Sequence, residues 1–209
     1  MKRLVFLLLV FLLVFLVGNV NSADLKGKFG ITGKGGVVMP FGDFGGDFDE
    51  PNKLGAKTGF GFGVTGEYFL SDNISLGAGF LYDIHGVDVG VSGVDINWKI
   101  SNYEAFFKYL FTTSSKALPY LKFDIGFYQP KLSISGDGSE ISGTFSTKLG
   151  IAGGAGLAYQ VSPSVLLSGE LMFHNAFTSD AEYQDVKLDA DIQYMSIFAG
   201  VTFLVGGTK

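Results

Sequence analysis

The chain has 209 residues, no cysteine, and a formal net charge of -5 from 15 basic and 20 acidic side chains. A chain without cysteine has no disulfide framework, and a mildly acidic chain without a lysine-rich run is a poor partner for nucleic acid. Aromatic residues make up 15% of the sequence. After the N-terminus they are dispersed rather than gathered into one long apolar run, which indicates strands and not a spanning helix.

Residues 1–23 have the three parts of a secretory signal peptide. Met1-Lys2-Arg3 begins with positive charge, residues 4–17 are all apolar, and residues 18–23 are small and polar. The apolar run is shorter than the roughly 20 residues of a membrane-spanning helix. We therefore expect export and cleavage after Ser22 or Ala23, with an uncleaved N-terminal anchor as the alternative. Residues 24–209 then form a single domain.

The first predicted strand is Lys28–Met39, and an acidic loop follows over residues 40–57. Residues 58–85 alternate with a period of two on both sides of a Ser71-Asp72-Asn73 turn, which predicts an antiparallel hairpin. One face of the hairpin is apolar and aromatic, and the other carries glycine, hydroxyl groups and charge, including Glu67. Because charge cannot face lipid cheaply, the polar face must be enclosed. An apolar exterior around a polar interior is typical of a transmembrane β-barrel.

Five further strands are predicted from the same alternation. They are residues 99–111, a strand that starts at residue 118, and residues 146–161, 165–177 and 190–205. Short turns alternate with longer loops, which is the asymmetry of outer-membrane barrels. All five prolines fall at predicted strand ends or in connections, where a missing N–H does not interrupt a ladder. The predicted fold class is all-β, an eight-stranded antiparallel up-and-down transmembrane β-barrel.

The alternation places five basic and five acidic side chains inside the predicted barrel. They are Lys28, Lys34, Lys108, Lys122, Lys148, Glu67, Asp83, Glu104, Asp124 and Glu170. An eight-stranded barrel is just wide enough for side chains to fill, and buried charge is costly unless it is paired. We therefore predict a structural charge network in the lumen, with a gated proton or ion path as the alternative. Its predicted members are Lys34, Glu67, Glu104, Lys108, Lys122, Asp124 and Glu170.

Aromatic residues near the predicted strand ends suggest girdles at the two membrane interfaces. They are Tyr68, Trp98, Tyr103, Tyr109, Tyr120, Tyr159, Phe173 and Phe177. Ordinary enrichment of aromatic residues in strands is the alternative explanation. The valines and the isoleucine between residues 87 and 96 are interpreted as extensions of the flanking strands.

The sequence predicts neither a metal, a cofactor nor an enzymatic activity. His85 and His174 have inward parity but lie on opposite walls, so they are not expected to share a metal. The acidic residues of the loop at 40–57 could in principle hold calcium, although a solvated loop is the preferred interpretation. No serine, histidine and acid can be placed together as a nucleophilic set.

Two segments carry a resemblance to a known family. KGGVVMPFGDF and GFGFGVTGEYFLSDNISLGAGFLY resemble the small outer-membrane β-barrel superfamily, including the OmpA-like transmembrane domain and its OmpW-like and OmpX-like relatives. The likeness is strongest in the EYFLSDNISLG hairpin and covers about residues 27–205. Such barrels usually end on an aromatic residue, whereas here Phe203 is followed by six further residues. The OmpA-like proteins also carry a wall-binding domain after the barrel, and the resemblance does not extend to one here.

The resemblance implies a cell-envelope protein in the outer membrane of a diderm bacterium. The expected function is non-enzymatic, with a structural or surface-interaction role. The alternative is a porin-like narrow channel for small hydrophobic or ionic solutes, as in OmpW-like relatives. The expected partners are outer-membrane lipid and the barrel-assembly machinery, and the loops could meet extracellular ligands. Nucleic acid is not an expected partner.

Overall fold

A computed structural model describes residues 24–46, 53–88, 93–111, 113, 115–136, 139–184, 186–188 and 190–206. The predicted signal peptide over residues 1–23 lies outside these residues, as do Asp47, Asp49, Glu50, Val89 and Val91 of the loops. Within the described ranges, no helix is long and apolar enough to cross a membrane. All regular structure described there is β-strand.

Eleven strands follow one another along the described chain. They are β1 (Lys28–Phe41), β2 (Gly59–Phe69), β3 (Ile74–Val87), β4 (Val94–Leu110), β5 (Ala117–Gly136), β6 (Ser139–Thr144), β7 (Lys148–Ser162), β8 (Val165–Ala176), β9 (Glu182–Tyr183), β10 (Val186–Lys187) and β11 (Ile192–Gly206). Eight of them, all except β6, β9 and β10, pair antiparallel in the ring β1-β2-β3-β4-β5-β7-β8-β11. The ring closes where β1 pairs with β11, from Lys28 opposite Gly206 to Phe41 opposite Gln193. The predicted eight-stranded antiparallel barrel is confirmed.

The barrel has two unlike ends. At the short-turn end, β2 and β3, β4 and β5, and β7 and β8 are joined by few residues, and β1 begins beside the end of β11. At the long-loop end the connections are longer, and three of them contain further strand residues. β3 and β4 extend to Val87 and from Val94, β5 continues to Gly136 and pairs with β6, and β9 and β10 form a two-stranded hairpin.

Pro130 lies inside β5, which corrects the prediction that every proline falls at a strand end or in a connection. On one side of β5 the partner is β7 as far as Tyr128, and then β6 from Lys131. Pro130 sits at this change of partner, where its carbonyl accepts a hydrogen bond from the Phe145 N–H at 2.9 Å. Since the N–H and C=O of one residue point to the same side of an antiparallel strand, the missing proline N–H falls at the gap and costs little.

The outer wall is an apolar band that would be unstable against water. Its side chains alternate with buried ones along each strand, as in β2, where exposure alternates from residue to residue. Among its aromatic side chains, the largest exposed fractions belong to Phe60 at 72%, Phe203 at 59% and Phe127 at 57%. This is the lipid-facing surface that the period-two pattern predicts.

Two residues of the predicted aromatic girdles lie inside the barrel instead. Trp98 and Tyr120 are each only 3% exposed. Trp98 shares the parity of Asn102 and Glu104 once β4 is extended back to Val94, and Tyr120 shares the parity of Lys122. The other girdle residues, including Tyr103 and Phe173, are exposed on the outer wall.

Candidate functional site

The lumen is filled in three layers. A charge network occupies the middle and contains the seven residues named above as its predicted members. A short-turn layer of apolar side chains closes one end and consists of Leu25, Phe69, Leu110, Leu118, Tyr120, Ala158, Leu166 and Leu204. A larger long-loop layer closes the other end and is formed mainly by Val38, Phe44, Leu81, Trp98, Ile100, Tyr128, Phe145, Ala176, Leu188, Ile192, Tyr194 and Phe198.

Lys122 is the least exposed cation of the charge network. Its Nζ donates to Glu104 Oε1 and to Asp124 Oδ2, each at 2.9 Å. The side chains of all three are at most 2% exposed. Lys122 Nζ also lies 4.4 Å from the centroid of the Phe106 ring, a cation–π contact. The ammonium group therefore exchanges its water shell for two carboxylates and a ring face.

Lys34 connects the opposite walls of the barrel. Its Nζ donates to Glu170 Oε1 at 2.8 Å and lies 3.7 Å from Glu104 Oε1. Glu170 also accepts a hydrogen bond from the Tyr120 hydroxyl at 3.1 Å. Opposite Tyr120 on β7 is Gly156, where any Cβ would run into the Tyr120 ring. The glycine is therefore what leaves room for a tyrosine inside this narrow lumen.

Glu67 and Lys108 form the third part of the network. Lys108 Nζ donates to both carboxylate oxygens of Glu67 at 2.9 Å, and the Ser75 hydroxyl donates to Glu67 Oε2 at 2.6 Å. Lys108 Nζ lies 4.9 Å from the centroid of Tyr120. Through the Tyr120 ring and hydroxyl, this pair joins Glu170, so the structure brings all seven predicted residues into one connected network.

The network holds three lysines and four carboxylates. Two buried carboxylate oxygens, Glu104 Oε2 and Asp124 Oδ1, have no hydrogen-bond partner in the described part of the chain. The central cavity of the lumen, ≈ 20 Å³, lies between the network and the short-turn layer and is not lined by these two carboxylates. Its volume is about the room that one water needs. The arrangement can hold charge rigidly and could pass a proton over a short distance.

Three other inward charges predicted from the sequence lie outside this network. Lys28 donates to the Pro163 carbonyl at 3.3 Å at the short-turn end, and Lys148 pairs with Asp180 at 2.7 Å at the other end. Asp83 accepts a hydrogen bond from the Tyr194 hydroxyl at 2.7 Å within the long-loop layer.

The long-loop layer is built partly from loop residues. Gly42 follows β1 with a φ of 62°, a left-handed conformation that favours glycine, and the chain then brings Phe44 into the barrel mouth. The Phe44 ring lies 4.8 Å from that of His85 and 6.4 Å from those of Trp98 and Tyr194. The Trp98 ring N–H donates to the Leu54 carbonyl at 3.1 Å, which fixes the returning half of the same loop.

The two histidines both contact Tyr194, one on either side. His174 stacks on the Tyr194 ring at 4.4 Å between centroids with a 2° interplanar angle, and His85 meets it edge-on at 5.5 Å. The Tyr194 ring therefore bridges the two opposite walls of the barrel that carry the histidines. No group of three or more metal-ligating His, Cys, Asp or Glu side chains occurs in the residues that the structure describes.

Sequence reasoning missed a contact between a serine and a histidine. Ser196 Oγ lies 3.0 Å from His174 Nε2, and the Tyr128 hydroxyl lies 3.2 Å from His174 Nδ1. The third member of this chain is thus a tyrosine and not an acid, and the Ser196 side chain is fully buried. Parity alone puts these residues inside, but only the register of β8 against β11 brings them together.

The short-turn layer is closed by the N-terminal segment of the described chain. Leu25 is fully buried in the layer. The backbone N–H groups of Leu25 and Lys26 donate to Asp72 Oδ1 at 2.8 and 3.0 Å. Asp72 belongs to the turn between β2 and β3, so this turn also anchors the segment that precedes β1.

A closed eight-stranded barrel with an apolar outer wall and a polar, filled lumen defines the class of small outer-membrane β-barrel proteins. The family model for the outer membrane protein beta-barrel domain matches residues 7–203. The chain belongs to this family, and the family places it in the outer membrane. No curated protein matches the chain.

Solved structures of bacterial outer-membrane proteins share the fold. Neisserial surface protein A is 20% identical with a TM-score of 0.59, and the match covers 85% of this chain and 99% of that one. Ail, the attachment invasion locus protein of Yersinia pestis, is 18% identical with a TM-score of 0.55, covering 86% and 99%. A major outer membrane protein from Thermus thermophilus is 11% identical with a TM-score of 0.56, also covering 86% and 99%. At these identities the likeness concerns the fold alone.

Proposed function

We propose that the protein is a non-enzymatic outer-membrane barrel with a structural or surface-interaction role in the cell envelope. The observation that carries this proposal is the filled lumen. Apolar layers lie at both ends of the charge network, and the central cavity has a volume of only ≈ 20 Å³. A lumen packed in this way stabilises the barrel and leaves the loops as the surface on which partners act.

The part of the molecule best suited to contact a partner is the sheet formed by β4, β5 and β6 at the long-loop end. There β5 and β6 pair from Lys131 opposite Thr144 to Gly136 opposite Ser139. Ile134 and Ile141 face each other across the pair and are 39% and 74% exposed. Exposed isoleucines on a strand pair beyond the barrel wall suit an extracellular ligand with apolar groups.

A surface ion pair ties this sheet to the barrel. Lys99 on β4 donates to Glu140 on β6 at 3.3 Å. The hydrogen bond and the positive charge of Lys99 hold the pKa of the Glu140 carboxyl below its ordinary value. Glu140 is therefore a carboxylate at neutral pH. It pairs with Lys99 on the face of the sheet opposite the two isoleucines, since neighbouring residues of a strand point to opposite faces.

A narrow channel is the second candidate. The feature that favours it is the central cavity, which is lined by Lys34, Lys108, Lys122, Glu67 and Glu170 among others. For this function the loop residues of the long-loop layer, Phe44 above all, would have to move aside, and the short-turn layer would have to open as well.

Enzymatic activity is not part of the proposal. The serine and histidine in contact, Ser196 and His174, are 0% and 2% exposed and lie within the long-loop layer. The other ring nitrogen of His174 faces the Tyr128 hydroxyl and not an acid. Nucleophilic catalysis needs an accessible serine and a group that orients the histidine.

The proposal includes export through a cleaved signal peptide over residues 1–23. The partners on the way to the membrane are then the barrel-assembly machinery and outer-membrane lipid. Neither a cofactor nor nucleic acid is part of the proposed function, and the loops are the sites proposed for extracellular ligands.

Single-channel conductance in a planar bilayer tests the proposal. The refolded protein should give no discrete openings, while a heat-modifiability gel shows that it is folded. A Phe44→Ala variant is the matched control, because it removes the loop ring from the mouth and leaves the strands intact. Discrete openings in the unaltered protein that change ion selectivity in a Lys122→Met variant would establish the channel instead.

A further inference from the structure

A groove runs along the outer wall near the long-loop end of the barrel. Its volume is ≈ 390 Å³, and it is walled by Phe41, Phe123, Ile151 and Phe173. All four side chains have outward parity and are between 38% and 54% exposed. Phe41, the last residue of β1, reaches across β11 to meet Phe173 edge-on with 6.2 Å between ring centroids. The groove is thus continuous with the lipid-facing band but has an aromatic edge of its own.

A glycine forms the floor of the groove. Gly153 on β7 lies directly between Phe123 on β5 and Phe173 on β8 in the strand register. A Cβ added at Gly153 would meet nothing closer than 3.9 Å. Two large rings on either side of a residue without a side chain leave an apolar slot, because the strands that carry the rings are about 10 Å apart.

The end of the groove nearest the loops is polar but uncharged. Asn175 on β8 and Gln193 on β11 face each other directly in the register and both line the groove. Each lies one residue from the long-loop end of its strand. Asn175 Oδ1 is buried and has no hydrogen-bond partner in the described residues. His174 also borders the groove, but its ring lies inside the lumen against Ser196, and no Asp, Glu, Lys or Arg is among the described residues that line the groove.

We infer that this groove binds a membrane lipid whose acyl chain is attached through an amide. The chain would lie over Gly153 between Phe123 and Phe173, and the linkage would meet the two side-chain amides at the rim. A side-chain amide has both donors and an acceptor, and a secondary amide of the lipid offers the complementary N–H and C=O. The N–H would donate to Asn175 Oδ1, and the C=O would accept from the Gln193 side chain.

The amide linkage follows from the unpartnered oxygen. A buried acceptor without a donor is costly, and an ester linkage offers acceptors only. The neutral lining also explains why the contact would be made at the linkage and not at a charged headgroup. The occupant is a lipid because the groove opens from the outward face of a membrane-spanning wall, one residue below the strand ends.

Native mass spectrometry of the full chain in detergent micelles tests the inference with two probes. They are ceramide phosphoethanolamine, which has an amide-linked acyl chain, and phosphatidylethanolamine of the same chain length, which has only esters. The unaltered protein should retain the amide-linked lipid about tenfold more strongly, as expected when one buried polar partner is gained. Asn175→Leu should abolish this preference, and Gly153→Leu should release both lipids.

Gly169→Leu is the matched control. Gly169 is also an outward glycine with nothing within 4 Å of an added Cβ, but it does not line the groove. It should retain lipid as the unaltered protein does, and a heat-modifiability gel checks that each variant is folded. Equal retention of the two probes, or a Gly153→Leu variant that retains lipid normally, would overturn the inference. So would a second copy of the chain on this face, seen as a dimer mass that Gly153→Leu abolishes.

Discussion

The charge network and the apolar layers at the two ends fill the same lumen by different physical means. In the middle, each side chain depends on specific partners: Lys122 is held by two carboxylates and a ring. At the ends, the stability that a side chain contributes depends on the apolar area that it buries. Leu118 in the short-turn layer and Ile100 in the long-loop layer are examples. Loss of one apolar side chain leaves a cavity, whereas loss of one charge leaves its former partner buried and unpaired.

This difference indicates which side chains determine the strand register and which mainly contribute packing. A buried ion pair contributes little net stability compared with apolar residues of the same volume. Its partners, however, must meet in one register, and a slip of one residue would turn every inward charge toward lipid. The network therefore selects the strand register, and the apolar layers supply most of the stability.

The largest loss of stability is expected for Lys122→Leu. The substitution strands Asp124 without a cation and leaves Glu104 with Lys34 alone, at 3.7 Å. The free energy of unfolding should fall by about 4 kcal/mol, the usual cost of breaking a buried pair from one side. Urea unfolding in detergent, followed by the heat-modifiability gel, measures it.

Two companion variants separate pairing from packing. Glu104→Leu should cost less than Lys122→Leu, because Lys122 keeps Asp124 and Lys34 keeps Glu170. The double variant Lys122→Leu with Asp124→Leu should recover part of the loss, since neither charge is then stranded. Strictly additive losses of stability would show that these side chains contribute packing and not specific charge pairing.

A smaller and additive loss is expected for the apolar layers. Leu118→Ala, at one end of the lumen, should reduce the free energy of unfolding by about 3 kcal/mol through the cavity that it leaves. Ile100→Ala at the other end should act independently, and the double variant should equal the sum of the two within about 0.5 kcal/mol. A coupling larger than this would mean that the two layers communicate through the charge network and do not act by local packing alone.

The sequence predicts the wall of the barrel better than its ends. Period-two alternation determines which side chains face inward, so parity along the strands is enough to assign Lys34, Glu104 and Lys122 to the lumen. Closure of a narrow barrel then brings opposite walls within reach of one lysine. Tyr120 could have been assigned in the same way, since it has the parity of Lys122; its aromatic character alone suggested a girdle.

The ends depend on contacts that alternation cannot encode. Phe44 comes from a loop, and no sequence periodicity relates it to Trp98. Their rings come into contact only in the folded barrel. The pairing of β6 with β5 is not predicted because residues 129–145 are rich in glycine and serine, which weakens the strand signal. The charge network follows from local pattern and the long-loop layer from long-range packing, which is why the sequence predicts only the former.

The smallest change in global stability is expected for Phe44→Ala, although this ring is fully buried. Several hydrogen bonds of its loop join the two halves of the loop to each other, such as those from the Ala56 N–H to the Phe44 carbonyl at 3.0 Å and from the Leu54 N–H to the Asp43 carbonyl at 2.9 Å. Segments of this kind open locally without unfolding the whole protein, so the free energy of unfolding should change by about 1 kcal/mol or less. Limited proteolysis between residues 40 and 57 should accelerate, while the lumen stays closed by Trp98 and Tyr194. If the barrel itself unfolds at markedly lower urea, the loop is part of the core, and the long-loop layer is as tightly specified as the charge network.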